Sequence, residues 1–265
     1  MSPSAERRRA HAAMLELLER RHGVGSRSAG VSAWMEARLD RALDGLLSDS
    51  GGRIDAALEL LRTDGSRLEE IAERLRVGET RFFRDPAQWR ALSGALGRFG
   101  GRERVRALSV GCSTGEEAWS LAMVLEDRRQ SYRVVGMDRS EAAVIAARKA
   151  AYASEGREHV PAELAARYLD ARDGQVHVAT ALRSSVNFVA RDAMVGPPPG
   201  HYEVILCKNL LIYFGNEAAE KAVQLMLRSL GDDGFLMVAK SEVPRVKALG
   251  HRPEDLGGGI VVFRG

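Results

Sequence analysis

The stretch Leu108-Ser-Val-Gly-Cys-Ser-Thr-Gly-Glu-Glu117 constrains this chain more than any other. A short apolar run, Val105 to Val110, enters a loop carrying Gly111 and Gly115, and apolar residues at helical spacing, Ala118 to Leu125, leave it. Glycine lets the backbone bend sharply and approach a ligand closely. Taken alone, such a strand, loop and helix are either a dinucleotide loop or a plain tight turn. The loop holds no Lys or Arg, and Glu116 and Glu117 follow it directly. Carboxylates at a helix N-terminus are favoured by the dipole and commonly act as caps. They would repel a pyrophosphate and suit a cationic ligand, such as one with an ammonium and a sulfonium. A second run, Tyr132 to Met137, leads to Asp138, an acid placed at a strand end to accept from ribose hydroxyls. Asp192 follows a third run, Val186 to Ala190, and is placed to touch an adenine edge. The competing reading of both acids is helix or turn capping.

The pattern continues on the C-terminal side. An Ala-rich helix is expected from Glu141 to Ala151, strands at Val204 to Cys207, Phe235 to Ala239 and Ile260 to Phe263, and a helix from Glu217 to Leu230. Strands alternating with helices argue for a parallel sheet covered on both faces, with ligands at the carboxyl ends of the strands. The first ninety or so residues differ. Ala10 to Arg20, Ala33 to Leu47, Ile54 to Leu61 and Leu68 to Leu75 carry apolar residues at helical spacing, separated by loops at Gly23 to Gly30 and Ser48 to Gly52. The Pro197-Pro198-Pro199 run reads as a rigid loop.

Composition narrows the function classes. The net charge of +3 on 265 residues is small for a nucleic-acid binder, and acids are interleaved with bases, as in Glu69 to Arg76. Cys112 and Cys207 stand far apart and outside any CxxC pair, so neither a zinc site nor a structural disulfide is expected. No apolar run approaches the roughly 20 residues needed to cross a bilayer, and no signal-like stretch follows the polar start. The expectation is a cytoplasmic protein without direct membrane insertion.

Several motifs together resemble one family, the chemotaxis receptor glutamate O-methyltransferases. They are Glu79-Thr-Arg-Phe-Phe-Arg-Asp85, Cys112-Ser-Thr-Gly-Glu-Glu117, Gly136-Met-Asp-Arg139 and Tyr202-Glu-Val-Ile-Leu-Cys-Lys-Asn-Leu-Leu-Ile-Tyr-Phe214, in matching order and spacing. Met35-Glu-Ala-Arg-Leu-Asp-Arg41 is similar to the second helix of the family's N-terminal domain. The resemblance implies an α/β fold: a small all-helical domain over residues 1–90, then a Rossmann-like methyltransferase domain over 91–265 with a small β-subdomain inserted near 153–186. It implies S-adenosylmethionine as methyl donor and a methyl-accepting receptor, through its cytoplasmic helical region, as partner. Carried over residue by residue, it places Thr80, Arg84, Gly111, Ser113, Gly115, Glu116, Asp138, Asp192 and Asn209 around the cofactor. Arg84 and Tyr213 would face the reacting carboxylate. Arg38 and Arg41, three apart on one helix face, would meet the receptor; the competing reading pairs them with Glu36, Asp40 or Asp44. The chain departs from the pattern at Gly78 (usually Asn), Asp192 (commonly Asn), Lys208 (usually Arg) and Trp119 (usually Tyr), and Lys240 to Pro244 lacks the usual Gly-His-Ser-Glu.

The chemistry agrees with that residue set. A free glutamate, with a pKa of about 4.3, is already ionised at neutral pH, so attack on a sulfonium methyl needs no general base. No His occurs in the matched motifs. Phe82, Phe83 and Leu210 to Ile212 read as core rather than as ligand contacts, and Tyr213 has a core reading beside its functional one. Two other functions compete: a non-catalytic S-adenosylmethionine-binding sensor or scaffold, and a methyltransferase acting on a small molecule or nucleic acid. The retained Arg84, Asn209 and Tyr213 argue against the first, and the balanced charge argues against nucleic acid.

Overall fold

The computed structural model describes residues 3–22, 33–75 and 80–265. Gly78, Glu79 and the loop expected at Gly23 to Gly30 lie outside the described residues. The chain divides into two compact units, Met1–Val77 with Leu211–Ala219, and Gly78–Leu210 with Glu220–Gly265.

In the first unit, helices α1 (Pro3–His22), α2 (Ala33–Asp49), α3 (Ile54–Thr63) and α4 (Gly65–Leu75) bury Met14, Leu18, Leu39, Leu43, Leu61, Leu68 and Leu75. The first helix starts well before the expected Ala10. Pro3 fits the first turn, and the polar opening turns are tied down where the Arg7 guanidinium donates to Asp40 and Asp44 of α2, at 2.9 and 2.8 Å. Asp64 caps α4, its Oδ1 accepting from the Ser66 backbone N–H at 3.0 Å and the Ser66 hydroxyl at 2.6 Å. Ser48, expected in a loop, closes α2 instead.

The second unit contains α5 (Pro86–Leu96), β1 (Val105–Val110), α6 (Glu116–Asp127), β2 (Tyr132–Asp138) and α7 (Glu141–Lys149). A small antiparallel sheet follows, from β3 (Ala151–Ala153), β4 (Leu169–Arg172) and β5 (Gln175–Val178), in the order β3-β5-β4, with α8 (Ala162–Tyr168) and α9 (Thr180–Arg183) beside it in sequence. Then come β6 (Val186–Ala190), β7 (Tyr202–Cys207), α10 (Asn216–Arg228, whose first residues belong to the helical unit), β8 (Leu230–Val238), α11 (Val243–Ala248), β9 (Pro253–Asp255) and β10 (Val261–Phe263). The main sheet runs β6-β2-β1-β7-β8-β10-β9, parallel from β6 to β8 and antiparallel at β10 and β9.

The central strands are nearly continuous apolar runs because both sheet faces are covered; every residue of β7 is buried. Gly136 in β2 has no room for a side chain: a Cβ there would lie 2.5 Å from the Phe188 ring. That ring packs on Trp119, centroids 5.3 Å apart, and the Trp119 indole N–H donates to the Ala147 carbonyl at 3.3 Å, so this departure from the family pattern is absorbed as core. β8 begins at Leu230, earlier than the expected Phe235, with a register irregularity opposite Tyr202 and Val204. Helix α5 has no counterpart in the sequence expectation. Among the described residues, no helix is long and apolar enough to cross a membrane.

Candidate functional site

At the carboxyl end of β1 the chain enters the Gly111–Gly115 loop, which is fixed by backbone bonds before any ligand is considered. The Gly111 and Cys112 N–H groups donate to the Met137 carbonyl at 2.8 and 3.0 Å, and Gly115 N–H to the Cys112 carbonyl at 2.9 Å. Gly115 needs both its positive φ of 99° and its missing side chain, since a Cβ would lie 2.8 Å from that of Ala147. Ser113 takes φ 49°, a conformation unusual for a residue with a side chain. What holds it is Asp138: Oδ2 accepts from Ser113 N–H at 2.8 Å, while Oδ1 accepts from Ser140 N–H at 2.9 Å. Each carboxylate oxygen retains a second lone pair. Asp138 therefore combines the capping reading with the capacity to accept further donors.

The two glutamates opening α6 have separate environments. Glu116 is buried; its Oε2 accepts from the Thr114 hydroxyl at 2.7 Å, and Thr80 bonds to the same carboxyl. Burial pushes its pKa up, and the hydrogen bonds partly oppose that. Glu117 accepts from the Ser109 hydroxyl at 2.8 Å and meets the Lys208 ammonium at 3.4 Å. Lys208 follows the all-buried β7 and is itself only 9 % exposed. Its ammonium also donates to the Arg84 carbonyl at 3.2 Å and sits 4.8 Å from the Trp89 ring centroid.

The segment around Arg84 is strapped to the same end of the sheet. Phe83 N–H donates to the Ser120 hydroxyl at 3.0 Å, which donates to the Glu116 carbonyl at 2.7 Å, and the Trp89 indole donates to the Arg84 carbonyl at 3.0 Å. Phe83 and Asp85, flanking Arg84, both have positive φ, 48° and 59°. Strain of this kind persists only where surrounding contacts over-determine it, and here the Ser120, Trp89 and Lys208 bonds do so. Asn209, with φ 59°, is anchored by its backbone N–H donating to Glu242 Oε2 at 2.9 Å. Glu242, 1 % exposed, also accepts from Ala239 N–H at 3.1 Å.

Gly111, Ser113, Gly115, Glu116, Asp138 and Asn209 thus lie at the carboxyl ends of β1, β2 and β7, with Thr80 bonded to Glu116 and the Arg84 carbonyl held by Lys208. Asp192 caps its own turn by accepting from Met194 N–H at 2.8 Å, and its Oδ2 is 3.8 Å from Arg139 Nε. Phe82 and Phe83 are core, with Phe82 edge-on to Tyr152 at 4.9 Å. Tyr213, in a 3-10 turn at Leu211–Tyr213, and the two helix arginines belong to the helical unit. There Arg38 donates to the Arg74 and Leu75 carbonyls at 3.2 and 3.4 Å, Arg41 is exposed, and Asp40 and Asp44 accept from Arg7. Arg38 therefore satisfies the end of α4, so it is not neutral for stability. Cys112 and Cys207 are buried, free thiols with pKa values pushed up by burial.

Sequence reasoning left Lys208, Trp89 and Glu242 without roles and read Glu117 as a helix cap or a partner of a cationic ligand, whereas it pairs with Lys208. One signal was legible: a lysine ending an otherwise apolar strand needs a buried anion. Glu242 lay in the segment set aside for lacking the family's usual pattern.

Comparison with known proteins agrees with this geometry. The chain is 30% identical over 248 residues to the "Probable biofilm formation methyltransferase WspC" of Pseudomonas putida, covering 89% of this chain and 57% of that protein. It is 28% identical to a "Chemotaxis protein methyltransferase" of Listeria monocytogenes, covering 69% and 71%, and 27% identical to "Chemotaxis protein methyltransferase 1" of Pseudomonas aeruginosa, covering 78% and 81%. It spans little more than half the length of the WspC proteins. Residues 78–250 match the family described as "CheR methyltransferase, SAM binding domain". The chain belongs to the CheR methyltransferase family, and those residues are its S-adenosylmethionine-binding domain.

Proposed function

We propose that this chain transfers a methyl group from S-adenosylmethionine to glutamate side chains in the cytoplasmic helical region of a methyl-accepting receptor. The observation that carries the reading is the acidic, cation-poor loop of the family's S-adenosylmethionine-binding domain, with Glu116 and Asp138 held at the strand ends. The donor set fits the cofactor. Asp138 has acceptor capacity for ribose hydroxyls, Glu116 suits an ammonium, and the Gly111, Ser113 and Gly115 backbone leaves room for close approach. Thr80, Arg84, Asp192 and Asn209 complete the set, with Asp192 toward the adenine. When bound, the cofactor supplies a methyl group on a sulfonium, whose transfer to a carboxylate oxygen leaves a neutral thioether. The chain's own task is orientation. Arg84, its backbone fixed on both sides, holds the substrate carboxylate by a charge-assisted bond without neutralising it, and Tyr213 aligns the same group. Such positioning lowers a barrier by several kcal/mol, of the roughly 7–11 kcal/mol that full alignment supplies. Arg41, with Arg38 beside it, meets the acidic methylation helix of the receptor.

The test is incubation with methyl-labelled S-adenosylmethionine and membranes carrying candidate receptors. Label should appear on receptor, and Arg84→Ala should lower it about a hundredfold, the scale of a lost alignment, with the melting temperature nearly unchanged. Near-normal turnover by Arg84→Ala on a receptor that wild type labels would remove Arg84 from the mechanism.

A further inference from the structure

The parallel sheet has a second polar site, at the amino ends of its strands. A cavity of about 440 Å³ opens there, lined by Arg104, Glu126, Arg129, Tyr132, Arg133 and Ser185 among others. Its size falls within the range of pockets that take one small molecule. Its walls are set by the fold: Arg104 precedes β1, Tyr132 opens β2, Ser185 precedes β6, and Arg129 sits in the turn after α6, whose N–H donates to the Glu126 carbonyl at 2.8 Å. Arg133 donates to the Ser184 carbonyl. Among the described residues, the three arginines form no salt bridge. Three guanidiniums face one carboxylate, so the lining carries a net charge of +2.

The one carboxylate of the lining is already engaged. Tyr132 is 5 % exposed, its hydroxyl is shut off from solvent, and Glu126 and Ser185 are its hydrogen-bonding neighbours. Glu126 thus serves Tyr132 and, among the described residues, forms no salt bridge with the three arginines, whose charge stays uncompensated at the cavity.

We propose that this cavity binds a soluble phosphate ester, a nucleotide-sized dianion whose phosphate takes bonds from the arginines. Planar guanidiniums match phosphate oxygens in pairs, and Glu126 and Ser185 supply acceptors for a hydroxyl or amino group on the same ligand. The site is distinct from the cofactor loop: β1 and β2 run between the two, roughly 20 Å at about 3.3 Å per residue.

Titration calorimetry tests this on the full chain saturated with S-adenosylhomocysteine, which keeps the probes out of the cofactor loop. The probes are inorganic phosphate, pyrophosphate and adenosine diphosphate. The expected result is saturable one-to-one binding of at least one diphosphate probe below about 1 mM, weakened at least tenfold in Arg104→Gln/Arg133→Gln. Tyr132→Phe should leave the affinity nearly unchanged, because the buried hydroxyl lies out of the ligand's reach. No saturable binding by any probe, or undiminished binding in Arg104→Gln/Arg133→Gln, overturns the proposal. So does co-sedimentation with phosphatidylglycerol vesicles without binding of soluble probes, which would assign the arginines to a lipid surface.

Discussion

At the carboxyl end of the sheet, Glu117, Asp138 and Glu242 each accept at least two donors, whereas at the amino end three arginines that form no salt bridge among the described residues line one cavity. The carboxyl end is also where Phe83, Asp85, Ser113 and Asn209 take positive φ. One end is organised before a ligand arrives, its carboxylates fixing the loops proposed to hold the cofactor. The other end holds polar capacity that the fold does not use. The same α/β scaffold thus separates a rigid, acidic end from a cationic one.

Breaking the rigid end should be costly. Lys208→Ala leaves the half-buried Glu117 without its cation and leaves the Arg84 carbonyl with the Trp89 indole alone, so urea unfolding should show a loss of about 3 kcal/mol, the low end of the cost of removing one partner of a buried pair. A loss below about 1 kcal/mol would show that Lys208 is not what holds the Arg84 segment. Asp138→Ala should weaken S-adenosylhomocysteine binding by about 1.5–3 kcal/mol for each lost bond to the carboxylate, measured by calorimetry. Because Asp138 also holds Ser113 and Ser140, part of that effect is loop disorder, and Asp138→Asn, which keeps an acceptor, should recover some of it. Unchanged affinity in Asp138→Ala would remove the cofactor from this loop.

A smaller effect concerns pH. Burial holds the folded-state pKa of Glu116 above its ordinary 4.5. The folded chain therefore binds this proton more tightly than the unfolded chain does. Its stabilising contribution is full below 4.5 and is lost as pH rises through the folded value. Ionisation over the same window should raise affinity for the cofactor's ammonium, and Glu116→Gln should flatten both profiles. Affinity that falls across this window in wild type would place the ammonium elsewhere. Smallest is Arg41→Glu. With exposed pairs worth up to about 1 kcal/mol, it should raise the KM for receptor about fivefold at low salt and leave cofactor affinity alone. Arg41 is the cleaner probe, since Arg38 also holds the end of α4. Normal receptor kinetics in Arg41→Glu would make this helix face a solvated surface.

The same comparison explains what the sequence made legible. Strands β1 and β6 match their expected bounds because buried parallel strands are short apolar runs with sharp ends. The turn at Gly115 and the strand end at Asp138 were readable because a glycine and an acid interrupt the apolar runs there. Helix α5 was missed because its apolar residues are interrupted by Gln88, Arg90, Ser93 and Gly94, and only the folded chain shows Gln88 buried with its amide donating to the Val238 carbonyl at 2.8 Å. Lys208, Glu117 and Glu242 were illegible as a network for a related reason. Their partners are far away in sequence, and charge in a local window says nothing about burial. The amino-end cavity left no trace at all, because its arginines come from segments before β1, after α6 and within β2, and each looks like ordinary surface charge.

The most direct measurement is the chemistry of the labelled product. Receptor labelled by this chain from methyl-labelled S-adenosylmethionine should release volatile methanol on mild alkaline treatment, as a glutamyl methyl ester does. Label that stays on the protein in base would contradict the account and point to methylation at nitrogen.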